Sequence, residues 1–363
     1  MTDTELKELL STSDPAARQE LRARAYLCKL KFIGPKISVR GLIEISNICS
    51  KNCFYCGIRR ANTHVKRYRI TQERIMEIAR WAYEKEFGSL VIQSGEIQST
   101  GFADYIENTL KSITAATEGK LGITISCGEQ TPQVYERWRK AGATRYLLRI
   151  ESSNPELYHQ LHPADHDFNA RLACLKSLRE LDYQVGSGVM IGFPGQTLDD
   201  LVRDLRFFEE FDLDMIGMGP YIPHSETPLG ANLKFTRDYR LHQLEIGLNM
   251  ISAARLLLKD INIAAATALD TLDEHGRILG LLSGANVVMP NITDTQFREN
   301  YQLYEGKTTL HESSGNSRDK LIHQAAAIGE EVLWGTRGDS PHYAARHCPT
   351  PTTEPVPSTL AEG

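Results

Sequence analysis

The stretch VRGLIEISNICSKNCFYCGIRR, residues 39–60, opens as a β-rich apolar run, ends near Ser46 and turns at once into a loop carrying Cys49, Cys53 and Cys56. Their spacing, C-x3-C-x2-C, puts three thiolates in one tight loop. A four-iron cluster has four metal corners and is usually held by four cysteines, so a three-cysteine loop leaves one iron free to bind a small chelating molecule. A structural zinc site draws its ligands as two pairs, and no partnering C-x2-C stands elsewhere in the chain. A loop of buried cysteines without metal is the remaining reading of the trio alone.

Beyond this loop, short apolar runs alternate with amphipathic stretches. Eight runs recur, VRGLIEIS, SLVIQS, GITISCGE, RYLLRIE, QVGSGVMIG, DMIGMGPYI, INIAAAT and NVVMP. Between them lie segments with apolar residues at helical spacing, such as TQERIMEIARWAYEKE, PQVYERWRKAG and TLDDLVRDLRFFEEFD. Strands alternating with helices of this length imply parallel strands with crossover helices. Eight such units, with no Gly-x-Gly-x-x-Gly after the first strand, predict an α/β fold, a complete (β/α)8 TIM-type barrel. The cysteine loop then lies at the carboxyl end of strand one, on the catalytic face of such a barrel. Residues 1–37 read as an N-terminal helical cap, 38–337 as the barrel, and 338–363, rich in Pro and Thr, as a disordered C-terminal tail.

Composition narrows the function classes. Hydrophobic residues at 41% and charged residues at 24% are ordinary for a globular enzyme, and a net charge of -5 argues against a nucleic-acid partner. No apolar run is long enough to cross a bilayer and the N-terminus is polar and amphipathic, which predicts a cytoplasmic protein without a membrane partner. Seven cysteines, an odd count spread over a long chain, suit a reducing compartment where thiols hold metal. Cys28, Cys127 and Cys174 sit in apolar surroundings and read as core residues.

If a cluster sits at the mouth, the ligand on its open iron must be held by the other strand ends. Strand two ends in Gln93-Ser94-Gly95-Glu96, which suits either an ordinary turn or a cradle whose carbonyls and Glu96 hold an ammonium group. Ser126-Cys127-Gly128-Glu129 ends strand three with the same two readings. Arg149 and Glu151 share a face of strand four; they either neutralise each other, or leave Glu151 to accept from ribose hydroxyls. Arg171, on the following helix, is either solvated or a fork for a carboxylate. Met190 and the Gly192-Phe193-Pro194-Gly195 turn offer a surface for a flat ring. Met215, Ala266, Thr267, Ala268, Met289, Tyr301 and Tyr304 suit plain barrel packing or a roomy substrate cavity, and spacing does not separate those readings. Tyr221 and His224 fall on the rim. The basic run Arg59, Arg60, Lys66, Arg67 and Arg69 is a solvated face or a landing site for an acidic reductant.

C-x3-C-x2-C with an aromatic before the last cysteine, at the end of strand one of a (β/α)8 pattern, resembles the radical S-adenosylmethionine (SAM) superfamily. The resemblance implies that Cys49, Cys53 and Cys56 hold a [4Fe-4S] cluster whose fourth iron chelates SAM. One electron then cleaves SAM to methionine and a 5′-deoxyadenosyl radical, with a ferredoxin- or flavodoxin-type protein as the reductant. It implies that Gln93, Ser94, Gly95 and Glu96 hold the methionine amine, that Tyr55 shields the adenine, and that Ser126, Glu151, Arg171 and Met190 also contact SAM. The segments CGIRR, KRYR, QSGE, SCGE, RYLLR-x-E, GSGVMIGFPGQT, DLDMIGMGPYIPH-x-x-TPL, GANVVMPN and YQLYEGK are similar, over nearly the whole barrel, to the HydE family of [FeFe]-hydrogenase maturases within that superfamily. Such a member acts with other maturases on an iron complex bearing cysteine, CO and cyanide, and Arg149, Met215, Thr267, Ala268, Met289 and Tyr304 would line its substrate cavity. Two departures stand out: Ile97 follows Glu96 where the family has an acid, and Ala266 precedes Thr267 where it has paired threonines. They leave open a related enzyme with another substrate, such as a methylornithine synthase-like mutase, or a non-catalytic carrier of an iron complex. Near the C-terminus only Cys348 is present, so a single cluster is expected.

Overall fold

Each amphipathic stretch starts at a side chain that caps it. Thr71, Ser99, Thr131, Asp167, Thr197 and Thr236 accept hydrogen bonds from amides two or three residues on, opening helices Gln72–Glu84, Thr100–Ala116, Pro132–Lys140, Phe168–Glu180, Leu198–Glu210 and Arg237–Leu258. These helices belong to a computed structural model that describes residues 1–307 and 314–347.

The strands are β1 (Lys36–Val39), β2 (Gly41–Ser46), β3 (Ser89–Ser94), β4 (Gly122–Ser126), β5 (Arg145–Leu147) and β6 (Gln184–Ser187), followed by β7 (Met190–Ile191), β8 (Met215–Ile216), β9 (Gly219–Pro220), β10 (Asn262–Ile263), β11 (Val287–Val288) and β12 (Glu331–Leu333). Seven form one all-parallel sheet in the order β10-β8-β6-β5-β4-β3-β2. Both of its edges bond to the chain around β11. Ala264 bridges Val287 on one side, and on the other Leu42 donates to Pro290 O at 2.9 Å and accepts from Ile292 N at 2.9 Å. The side chains alternate. Ile43, Ile45, Leu90, Ile92, Ile123 and Ile125 join the core beneath the helices, while Leu42, Glu44, Gln93 and Ser126 point into the interior.

Two predicted strands are each cut in two, β6 from β7 and β8 from β9, with β7 and β9 paired apart from the main sheet. At the break a Cβ on Gly188 would lie 2.1 Å from Gly217 O, so only glycine lets the two chains pass this closely.

The N-terminal helices Asp3–Ser11 and Pro15–Phe32 pack along the side of the barrel against Arg237–Leu258. Asn249 Nδ2 donates to Thr12 O at 2.9 Å, and the fully buried pair Lys29–Glu330 ties the second helix to the chain before β12. No helix among the described residues is long and apolar enough to cross a membrane.

The expectation of a disordered tail from residue 338 is corrected for residues 338–347. Asp339 accepts from Arg145 and, at 2.6 Å, from Gln184, and Ser340 N donates to Gln184 Oε1 at 3.1 Å. Helix Pro341–His347 then sets His342 2.6 Å from Asp212, Arg346 2.7 Å from Asp212, and His347 2.7 Å from Asp182. Basic side chains meeting acids at the amino-terminal end of the barrel hold this segment, and the Pro/Thr-rich composition begins only after it. The rest of the expected tail, including Cys348, lies outside the described residues.

Hydrogen bonds to Asp260 and Asp212 raise the His342 imidazole from 6.5 to about 8. A folded value above the unfolded one means that this contact stabilises docking fully below about pH 6.5 and is lost as pH rises through about 8. Hydrogen exchange at residues 338–347, corrected for intrinsic rates, is expected to accelerate across that window; a flat profile would refute the latch.

Candidate active site

Strand β2 ends at Ser46, and the two flanks of the cysteine loop that follows are gathered on one guanidinium. Arg67 donates to Asn47 O at 2.7 Å, Ile58 O at 2.8 Å, Arg59 O at 2.7 Å and Asn62 O at 3.0 Å. Of the basic run, Arg67 is therefore an internal scaffold, whereas Arg60, Lys66 and Arg69 are exposed. A Cβ on Gly95 would meet Ile48 O at 2.4 Å, so glycine lets β3 close onto this loop. There Glu96 N–H points at Cys49 Sγ, 3.4 Å away.

Cys49, Cys53 and Cys56 all face one cavity of about 340 Å³ at the carboxyl end of the strands. Burial pushes all three thiols up, Cys53 to about 12, and repulsion from the neighbouring thiols adds to it in Cys53 and Cys56. Buried thiols of this kind fit a metal, because coordination displaces the proton and neutralises the charge. They do not converge on a point: among the described residues no group of three or more His, Cys, Asp or Glu could share one metal ion. A polynuclear cluster takes one thiolate at each corner, and an amide directed at a cysteine sulfur is a usual partner of such a cluster.

Beside the loop lies a buried charge network. Lys51 Nζ is 2.8 Å from Glu129 Oε2 and 3.3 Å from Glu96 Oε1, and Arg171 Nε is 2.5 Å from Glu129 Oε1. Arg171 also donates to Arg149 O at 2.7 Å. Burial acts to raise both acids. In Glu129 the cations Arg171 and Lys51 outweigh it and hold the carboxyl below the usual range, whereas Glu96 is held above it. Glu96 Oε1, though near Lys51, makes no well-aligned hydrogen bond, which leaves an acceptor for a ligand's ammonium group.

Arg149 and Glu151 do pair, at 2.8 Å, and both still line the cavity. Glu151 has φ 65°, a left-handed backbone rare outside glycine and frequent at functional sites. An apolar wall is made by Tyr55, Met190 and Tyr221, packed in one cluster with Phe193, Leu157 and Leu161 behind them. The Tyr55 hydroxyl lies 3.4 Å from His162 Nε2. His162 and His166 form an H-x3-H pair, the spacing of zinc ligands, which the sequence reading overlooked, but His162 Nδ1 is 2.8 Å from Tyr158 O and His166 Nε2 accepts from Asn52 N at 3.2 Å. Burial pushes His162 down to about 3, so it is neutral.

The structure gathers Gln93, Ser94, Gly95, Glu96, Ser126, Glu151, Arg171 and Met190 around this cavity, and Ala266, Thr267, Ala268, Met289, Tyr301 and Tyr304 at its far end. Met215 is a correction. It lies one layer nearer the amino-terminal end, where Arg40 Nη1 is 2.9 Å from its sulfur, separated from the cavity by Leu147, Gly217, Ala264 and Met289. Period-two alternation predicts that Met215 points inward but not at what depth. Sequence reading also missed Lys51, Glu44 and Lys307. Glu44 pairs with Lys307 in the far wall and accepts from Asn291 Nδ2 at 2.9 Å. A carboxylate in the middle of the run GLIEIS was the available signal.

A family model described as the Radical SAM superfamily matches residues 43–208, from β2 and its cysteine loop to the helix Leu198–Glu210. The [FeFe] hydrogenase maturase subunit HydE of Thermotoga maritima is 45% identical over 336 residues, 92% of each chain. The chain belongs to the HydE family of radical SAM enzymes. 3-Methylornithine synthase of Methanosarcina barkeri is 27% identical over 79% of each chain. A solved structure of methylornithine synthase shares the fold, with TM-score 0.77 and 22% identity over 92% of this chain and 94% of that one.

Proposed function

We propose that this protein cleaves SAM reductively in the assembly of the [FeFe]-hydrogenase H-cluster, with an iron complex bearing cysteine, CO and cyanide as its substrate. The observation that carries this reading is that the three thiols, the Glu96 cradle and a polar far wall share one cavity. Cys49, Cys53 and Cys56 would hold a single [4Fe-4S] cluster, which when bound supplies the electron that breaks SAM. Glu96, with the carbonyls of Gln93 to Gly95, would take the methionine amine. Arg171, already turned inward, would take the carboxylate. Tyr55 and Met190 would flank the adenine, and Ser126 and Glu151 would complete the SAM contacts. Arg149, Thr267, Ala268, Met289 and Tyr304 would face the substrate. The ring of strands closed through β11 reads as a complete (β/α)8 barrel, which excludes water from a radical formed inside. Exposed Arg60 and Lys66 beside the loop suit an acidic ferredoxin or flavodoxin, and companion maturases would supply or receive the iron complex.

Anaerobic reconstitution followed by dithionite and SAM is expected to yield 5′-deoxyadenosine; none formed would leave only a carrier. Ala266, a methyl in the far wall, together with the methylornithine synthase relative, favours a carbon-skeleton mutase as the second reading. A rearranged amino acid formed alongside 5′-deoxyadenosine would decide for it.

Thr267 opens the helix Thr267–Leu272, and its hydroxyl is 3.5 Å from Arg277 Nη2. Thr267→Val keeps the shape and removes the hydrogen-bonding oxygen. SAM cleavage is expected to persist while substrate conversion falls about tenfold, the size of one lost buried hydrogen bond. Equal conversion by both proteins would show that Thr267 only packs.

A further inference from the structure

The segment Tyr158–His166 lies within the fourth unit of the barrel, between β5 and the helix Phe168–Glu180, and touches the cysteine loop at three points. His166 Nε2 accepts from Asn52 N at 3.2 Å, Leu161 O accepts from Phe54 N at 2.9 Å, and His162 Nε2 faces the Tyr55 hydroxyl at 3.4 Å. Each contact sits beside Cys53 or between Cys53 and Cys56. The Tyr158 carbonyl, 2.8 Å from His162 Nδ1, can only accept, so that nitrogen carries the proton and Nε2 is the acceptor turned to Tyr55. The imidazole is held by two rings, stacked on Tyr158 at 4.1 Å and perpendicular to Tyr55 at 5.5 Å between ring centroids. It is 2% exposed, and therefore has no solvent to exchange partners with.

We propose that His162 is a positioning residue that acts through the Tyr55 hydroxyl, and that Tyr158–His166 braces the cysteine loop against the cavity. Tyr55 is the one side chain that lies between two of the three cysteines, lines the cavity and touches the brace. Its ring position is therefore set from outside the loop. The bearing of this brace on SAM rests on the radical SAM reading above, whereas its bearing on the loop does not.

The test uses the full-length, cluster-loaded protein under anaerobic conditions and four variants: His162→Phe, His162→Gln, Tyr55→Phe and the double variant Tyr55→Phe/His162→Phe. Phenylalanine keeps the ring stack and removes the acceptor. One readout is the rate at which an iron chelator bleaches the cluster absorbance; the other is the SAM concentration that half-saturates the change in the reduced cluster's paramagnetic spectrum. His162→Phe is expected to raise both about tenfold, the effect of removing one buried hydrogen bond, and to raise KM for SAM more than it lowers kcat. His162→Gln, which retains an acceptor, is expected to return both to within about twofold. With Tyr55 already phenylalanine, His162→Phe should add nothing. An equal effect in that background, or none when Tyr55 is intact, would overturn the brace. If the chelation pattern holds while no variant, nor the parent protein, responds to SAM, the brace stands and the SAM reading falls.

Discussion

Cys53→Ser is expected to abolish the cluster absorbance and SAM cleavage together, while far-ultraviolet circular dichroism stays that of the parent protein. Three corners are already the minimum that holds a four-iron cluster with one iron open, and serine is a poor substitute for a thiolate at the middle one. The fold should persist because the loop's backbone is held by Arg67 and by bonds to Leu161 O and Leu303 O rather than by Cys53. Retained cleavage would refute the ligand assignment. Loss of dichroism would show instead that Cys53 is part of the structural core.

The second large effect is expected at Arg171. Replacing it with methionine removes one of two cations from a buried network and leaves Glu129 and Glu96 sharing Lys51 alone. An uncompensated buried carboxylate costs about 3–5 kcal/mol. The urea midpoint of unfolding should fall accordingly, and SAM affinity with it. Adding Glu129→Gln to Arg171→Met should restore most of the stability and none of the SAM affinity, because the amide needs no counter-charge but cannot replace the fork. An unchanged midpoint would mean that Lys51 and solvent suffice for both acids.

Much of this molecule was legible in its sequence, because two of its signals are local. Strand-helix alternation marked eight runs, and each contributes a strand. The cysteine spacing located the mouth, and the strand ends pointed to Gln93–Glu96 and Glu151. What stayed hidden depends on distant partners or on depth. Lys51 and Glu129 are 78 residues apart, and Glu44 and Lys307 are 263 apart, so no window contains either pair. Strands β1 and β12 are short and pair only with each other and with β11, which gives them no periodicity to detect. For Met215, alternation along a strand fixes the face but not the layer. Gly338 to His347 was obscured by its neighbours, since composition averaged over a tail conceals a few basic residues with specific acidic partners.

The position of Arg67 between the two flanks of the cysteine loop bears on when the metal site acquires its shape. In a zinc finger the ligand loops are ordered by the metal, so binding energy and folding energy are the same quantity. Here four carbonyls on the two flanks of the loop are held by a side chain of the protein itself, and Ser50 N and Phe54 N within it donate to Glu96 O and Leu161 O, so much of the loop's conformational entropy is lost when the barrel folds rather than when iron binds. Cluster insertion then becomes a step that a finished protein can undergo, lose and undergo again.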